Sequence, residues 1–143
     1  MKAVRLTAEK DLELVEVPRP EPGSGEVLVR AHYCGICGSD LHAKHNELYR
    51  PGVVIGHEFS GEVVGLGPGV VGWSPGQRVV VNPNGRVCRE CAFCRSGRYN
   101  LCPVATRENP AGVAKDGGMA EFVALDTACL HALPDDLDTL RAA

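Results

Sequence analysis

The sequence predicts a mainly β fold, a barrel or sandwich built from short strands. Its 17 glycines and 10 prolines interrupt short apolar runs, and helical periodicity is weak. Strands this short, with turns every 8–12 residues or so, are typical of all-β barrels and sandwiches. The predicted strands cover residues 27–31, 61–65, 78–81 and 118–125, and a further apolar run covers 53–55.

Two short helices are expected, within residues 37–45 and 135–141. The second has acidic residues in its first turn, where they favour a helix N-terminus. A helix of two turns with nothing to pack on is marginal in water. We therefore expect the sequence to be the first part of a longer one.

Composition indicates one globular domain and does not favour nucleic acid or a membrane as partner. The 143 residues are 44% hydrophobic and 23% charged, which suits a single domain with a real core. A net charge of -3 does not favour nucleic acid or an anionic membrane as partner. Neither a membrane span of about 20 apolar residues nor the apolar core of a secretory signal is evident. The expected compartment is the cytoplasm.

The cysteine content is unusual, with seven in the chain. Disulfides are rare in the reducing cytosol, and an odd number leaves one cysteine unpaired. Metal binding or thiol chemistry is the leading explanation.

Four of the cysteines form a cluster with the spacing C-x2-C-x2-C-x7-C: Cys88, Cys91, Cys94 and Cys102. Four thiolates at this spacing can converge on one ion, and closed all-sulfur sites are typical of structural zinc. The lobe around them has few apolar residues, so metal binding would supply its folding energy. An iron–sulfur cluster competes with zinc, although the ferredoxin run places three residues, not seven, before its last cysteine. Two disulfides, or four unrelated buried cysteines, would also explain the cluster.

A second set of potential zinc ligands consists of Cys37, His57 and Glu58. Mixed ligation with fewer than four protein groups is the pattern of catalytic zinc. Asp40 could hold the other imidazole nitrogen of His57, as carboxylates behind metal ligands do. Taken alone, a single cysteine in a turn or a Gly-His-Glu turn is more often structural. The occurrence of both ahead of the four-cysteine cluster favours a metal site.

Four segments carry a family resemblance, at residues 34–40, 56–70, 72–79 and 88–102. They resemble the medium-chain, zinc-dependent alcohol and polyol dehydrogenases. The run Gly38-Ser39-Asp40-Leu41-His42 is nearest to the sorbitol, threonine and butanediol dehydrogenase branch. The resemblance implies that residues 1–143 form the family's GroES-like catalytic domain, a partly open β-barrel. A nucleotide-binding domain of about 150 residues would follow it.

The same resemblance implies roles for individual residues. Cys37 and His57 would ligate the catalytic zinc, with Glu58 as a direct ligand or just behind. Ser39 would take the proton of the substrate hydroxyl, and His42 would pass it to solvent.

Three more residues receive weaker assignments from this resemblance. His45 is a rival for the role of His42, because it lies one helical turn further on. Cys34 and Cys129 are interpreted as packing residues, since the family does not use the cysteine three positions before the zinc ligand.

The implied reaction interconverts a secondary alcohol or polyol and its carbonyl, with two zinc ions and NAD or NADP. The longer protein would be a homo-oligomer, and this chain by itself would be inactive. A stand-alone, non-catalytic zinc-binding β-module is the alternative. A zinc-free quinone reductase of the same superfamily is disfavoured by both sets of potential ligands.

Residues 67–72 match the dinucleotide-binding pattern G-x-G-x-x-G. That site needs a helix after the loop, because the helix N-terminus binds the pyrophosphate. Pro75-Gly76 and a predicted strand follow instead, with no βαβ unit. We therefore expect no cofactor-binding residues in this chain.

Overall fold

A computed structural model describes residues 1–43, 45 and 47–143. Seven strands are present in this part: β1 Lys2–Leu6, β2 Leu12–Glu16, β3 Glu26–Cys34, β4 Phe59–Leu66, β5 Arg78–Val81, β6 Phe122–Asp126 and β7 Leu130–Ala132. Three short α-helices are present as well: α1 Gly38–Leu41, α2 Ala92–Arg95 and α3 Thr139–Ala142. Two 3-10 turns cover Tyr99–Leu101 and Thr127–Cys129, and a π-helical turn covers Val104–Glu108. Within the described residues, no helix is long and apolar enough to cross a membrane.

The strands form two antiparallel sheets. The larger has the order β6-β3-β4-β5-β7, and β1 and β2 form a separate hairpin. Bridges between Ala3 and Ala120 and between Arg5 and Val54 attach the hairpin to the rest of the molecule. The prediction of a mainly β fold with short helices is confirmed.

The predicted strands correspond to β3, β4, β5 and β6, but three strands lacked a clear signal. In β1 and β2 charged residues alternate with small apolar runs, and β7 has three residues only. The apolar run at 53–55 is not a strand of either sheet. Its backbone instead bonds to β1, where the amide of Leu6 donates to Val53 at 2.9 Å and that of Ile55 donates to Val4 at 3.1 Å.

The described residues form three separate apolar clusters. The largest lies on the five-stranded sheet and includes Val29, Phe59 and Val79. A second consists of Leu6, Ala43, Tyr49 and Ile55, and packs the segment after α1 against β1. The third lies in the cysteine lobe: Cys94, Cys102 and Ala105 with the partly buried Val87, Cys88, Cys91 and Val104. Four of these seven residues are cysteines, so the lobe has little apolar packing besides its potential metal ligands.

The end of the chain packs on the sheet, so the expectation that this segment has nothing to pack on was wrong. The guanidinium of Arg78 donates to the carbonyls of Leu137 at 2.6 Å, Pro134 at 3.0 Å and Asp135 at 3.1 Å. The buried Ser60 hydroxyl donates to the carbonyl of Thr139. These bonds come from residues distant in sequence, which is why helix periodicity gave no indication of them.

We expect Phe59→Ala to lower the free energy of unfolding by about 3–5 kcal/mol, because it opens a cavity in the largest cluster. Phe59 is fully buried, and a Cβ on Gly118 would lie only 2.2 Å from its ring. Urea unfolding of the zinc-loaded chain measures the change. The control is Val71→Ala, at a residue that is 84% exposed. A loss for Phe59→Ala as small as that of the control would contradict the prediction.

Candidate metal centres

The four-cysteine lobe lies between β5 and β6, and its sulfurs converge. The ligand atoms of Cys88, Cys91, Cys94 and Cys102 all lie within 4.8 Å of one another. The Sγ of Cys88 is 3.9 Å from that of Cys94 and 3.6 Å from that of Cys102. A tetrahedral zinc ion with Zn–S bonds of about 2.3 Å separates its sulfurs by about 3.8 Å. The donor set therefore fits one tetrahedral ion, and all seven cysteines of the chain are free rather than disulfide-bonded.

Backbone amides point at the sulfurs and favour their ionised form. The amides of Glu90 and Cys91 donate to Cys88 Sγ at 3.4 and 3.3 Å, and that of Cys94 donates to Cys91 Sγ at 3.5 Å. The amide of Cys88 donates to Cys102 Sγ at 3.4 Å, which is the main reason that the pKa of Cys102 is lowered to about 6. Burial raises the pKa of Cys94 to about 12. A cation is needed to keep all four sulfurs ionised together.

The second group of potential ligands comes from two segments next to the sheet. The ligand atoms of Cys37, His57 and Glu58 also lie within 4.8 Å of one another. Cys37 is the N-cap of α1, directly after β3, and His57 and Glu58 immediately precede β4. Since β3 and β4 are paired, with Cys34 opposite Phe59, the end of one strand and the start of the next bring the ligands together.

Gly56 lets His57 approach this position. Its φ of +94° lies in the left-handed region, which favours glycine. A Cβ at Gly56 would lie 2.6 Å from Cys34 Sγ and 2.9 Å from the amide nitrogen of Met119. A side chain there would therefore displace the backbone that carries the histidine.

Asp40 connects the elements of the second site. Its side chain is 2% exposed, and its Oδ2 accepts the amide proton of Cys37 at 2.9 Å. Its Oδ1 lies 3.4 Å from Nδ1 of His57 and accepts the phenol proton of Tyr49 at 3.0 Å. The structure thus places Asp40 next to both Cys37 and His57, and its role behind a metal ligand stays a prediction.

Ser39 and Tyr49 complete the polar network. The Ser39 hydroxyl lies 3.4 Å from Nε2 of His57 and 3.1 Å from the phenol oxygen of Tyr49. Tyr49 is 2% exposed, and burial is the main reason that its pKa is raised to about 12. Sequence reasoning missed Tyr49, because a tyrosine in an irregular segment carries no motif and its partners become visible only in the fold.

The remaining predicted residues occupy two kinds of environment. His42 follows α1 as its C-cap and is exposed, and His45 is exposed as well. Cys129 is buried in the largest cluster, and Cys34 packs against that cluster. Burial is also the main reason that the pKa of Cys34 is raised to about 11. Both cysteines therefore lie in packing positions.

The glycine-rich run at 67–72 lies between β4 and β5, which are antiparallel neighbours. No helix lies between these strands, and all residues of this segment are described. The segment therefore lacks the helix N-terminus that a pyrophosphate site requires.

Comparison with known proteins identifies the family. Residues 23–135 match the alcohol dehydrogenase GroES-like domain. The chain is 41% identical over 130 residues to a sorbitol dehydrogenase of Halalkalibacterium halodurans, covering 90% of this chain and 37% of that protein. It is 40% identical over 149 residues to an L-threonine 3-dehydrogenase of Stenotrophomonas maltophilia, covering 100% of this chain and 43% of that protein.

Comparison with a solved structure indicates the same family. The acetophenone reductase of Geotrichum candidum, in complex with NAD, superposes with a TM-score of 0.84 at 32% identity, covering 96% of this chain and 41% of that one. The chain belongs to the alcohol dehydrogenase GroES-like domain family. The predicted resemblance to zinc-dependent medium-chain dehydrogenases and the GroES-like fold are thereby confirmed. The chain spans about two fifths of the length of these relatives.

We expect the chain to bind zinc at the four-cysteine lobe, and Cys102→Ser to lower the zinc content by one ion per chain. The lobe should also lose protection against proteolysis, because its core consists largely of the metal ligands. Elemental analysis and limited proteolysis measure the two effects. Cys129→Ser is the matched control, since that cysteine is buried outside the lobe. Iron in place of zinc, with visible charge-transfer absorption, would contradict the prediction.

Proposed function

We propose that residues 1–143 form the catalytic domain of a zinc-dependent dehydrogenase, which interconverts a secondary alcohol or polyol and its carbonyl. The observation that carries the proposal is the convergence of Cys37, His57 and Glu58 beside the Ser39 hydroxyl. Three ligands of mixed type leave a coordination position open for a substrate oxygen. The four-cysteine lobe, by contrast, is a closed site suited to a structural ion.

The metal ion and the residues around it would have different roles in the reaction. A zinc ion at Cys37, His57 and Glu58 would act as a Lewis acid that lowers the pKa of the substrate hydroxyl, and NAD or NADP would accept the hydride. Ser39 would accept the hydroxyl proton, since its oxygen lies 3.4 Å from a ligand nitrogen of His57. His42, exposed at the end of α1, would hand that proton to solvent. Asp40 would hold the His57 ring in place.

The surroundings of the site support a position between two domains. Ile36 and Leu41, which flank Cys37 and Asp40 in the sequence, are 73% and 70% exposed. Large apolar side chains exposed together often mark a surface that another body covers. We infer that a nucleotide-binding domain, which the longer relatives have room for, would cover this face and supply the dinucleotide site. Homo-oligomer formation and a cytoplasmic location remain predictions.

A chimera tests the proposal. In it, this chain replaces the matched segment of the H. halodurans sorbitol dehydrogenase, and NADH formation is measured with polyols, diols and 3-hydroxy amino acids. We expect turnover with at least one of these classes. A chimera that is folded and zinc-loaded but inactive with all of them would favour the alternative, a non-catalytic zinc-binding module.

In this chimera we expect Ser39→Ala to lower kcat by roughly 10²–10⁴-fold, the usual effect of removing a positioned acid–base group. Zinc content should stay constant, because Ser39 is not a proposed ligand. Ser24→Ala is the control, at an exposed turn before β3. Unchanged turnover in Ser39→Ala would refute the proton-accepting role.

We expect the 143-residue chain by itself to lack micromolar affinity for NAD or NADP and to form no NADH from alcohols. Hydride transfer needs the reacting atoms held about 3–3.5 Å apart, and no described segment offers a dinucleotide site to do this. Calorimetric titration with each dinucleotide measures the affinity. Micromolar binding would show that the 67–72 loop holds the cofactor after all.

A further inference from the structure

Tyr49 is a buried polar residue to which the proposed reaction assigns no part. Its ring lies in the apolar cluster with Leu6, Ala43 and Ile55, so its position is fixed by packing. Its backbone neighbourhood is held as well, since the amide of Arg50 donates to the carbonyl of Val113 at 2.9 Å. The phenol oxygen nevertheless points to the polar network, within 3.4 Å of Ser39, Asp40 and His57.

The phenol of Tyr49 can donate only one hydrogen bond, but three polar groups lie within reach of it. Asp40 is the strongest acceptor of the three, because a bond to a carboxylate is about twice as strong as one between neutral groups. The phenol therefore donates its hydrogen bond to Asp40 Oδ1, at 3.0 Å. The Ser39 hydroxyl lies 3.1 Å from the phenol oxygen, which has no second proton to donate to it. Hydroxyl rotors adopt the direction that satisfies the network.

The direction of the phenol bond decides the tautomer of His57. If Tyr49 donated to Nδ1 of His57, 3.4 Å away, the ring proton would have to sit on Nε2. When the phenol donates to Asp40 instead, Nδ1 can keep its own proton, 3.4 Å from the same carboxylate oxygen. One carboxylate oxygen can accept both protons, since it has two lone pairs. Nε2 is then left with a free lone pair, which a metal ion requires.

We propose that Tyr49 is a positioning residue, which holds Asp40 by its phenol so that His57 keeps the Nδ1-protonated, metal-binding tautomer. The inference rests on the proposed function in one respect, because it takes Cys37, His57 and Glu58 as a metal site. The inference adds Tyr49 to Asp40 and His57 as the third residue of one hydrogen-bonded group. The phenol acts through the carboxylate and not on the metal ion or the substrate.

The test compares the wild-type chain with Tyr49→Phe, which keeps the ring in its apolar cluster and removes the hydroxyl. The chain is first loaded with zinc at the four-cysteine lobe and then titrated with Co²⁺, whose visible absorption reports binding to the second site. We expect Tyr49→Phe to weaken Co²⁺ binding by about 10-fold, the low end of the effect of residues behind metal ligands. Tyr99→Phe is the control, at a tyrosine that is 54% exposed in the lobe.

A second readout separates positioning from mere packing. In the metal-free chain labelled with ¹⁵N-histidine, NMR gives the tautomer of His57, which we expect to be Nδ1-protonated in the wild type. In Tyr49→Phe the population should shift toward the Nε2-protonated form. Equal Co²⁺ affinity and an unchanged tautomer in a folded Tyr49→Phe chain would overturn the role of Tyr49.

The role of Tyr49 can still be tested if the variant does not fold or if the wild-type chain binds no Co²⁺ at the second site. If Tyr49→Phe does not fold, exchange of the Tyr49 hydroxyl proton is measured in the wild type. A proton that exchanges as fast as that of Tyr99 overturns the inference, and a protected one supports it. If the wild-type chain binds no Co²⁺ beyond the lobe, the proposed function fails, and the tautomer comparison still decides the role of Tyr49.

Discussion

The buried carboxylate of Asp40 is the constraint on which the second candidate metal site depends. Burying an ionised group costs several kcal/mol unless it is paired and hydrogen-bonded. Here the partners come from three different segments: the amide of Cys37 and the phenol of Tyr49 donate to the carboxylate, and the ring of His57 lies 3.4 Å from it. Two of these residues are proposed metal ligands. Satisfying one carboxylate therefore also fixes where the ligands stand, before any ion binds.

The sheet makes this convergence possible. Residues at the end of β3 and before β4 meet because the two strands are antiparallel neighbours, with Cys34 opposite Phe59. The left-handed backbone at Gly56 then turns His57 toward α1. The site is thus built on paired strands and on one buried side chain, which is the kind of support that holds ligands within a narrow range of geometry.

The four-cysteine lobe is stabilised in a different way. Four of the seven residues in its apolar cluster are cysteines, and its amides point at their sulfurs. We expect a metal ion to stabilise this lobe, whereas the sheet is stabilised by apolar burial. The two candidate sites therefore differ in kind: the lobe would depend on an ion for its shape, whereas the second site is held by hydrogen bonds and packing.

The sequence by itself determined the fold class and the family, and it predicted both sets of potential ligands, because each depends on short-range spacing: glycine-punctuated apolar runs, C-x2-C-x2-C-x7-C and Gly-His-Glu. Prediction failed for β1, β2 and the packing of the last residues on Arg78, since those depend on partners far away in the chain. Tyr49 lay outside any motif for the same reason. Only the tertiary structure decided that its phenol meets Asp40 and Ser39, because a hydrogen bond between distant segments depends on how the strands pair and leaves no periodicity in the sequence.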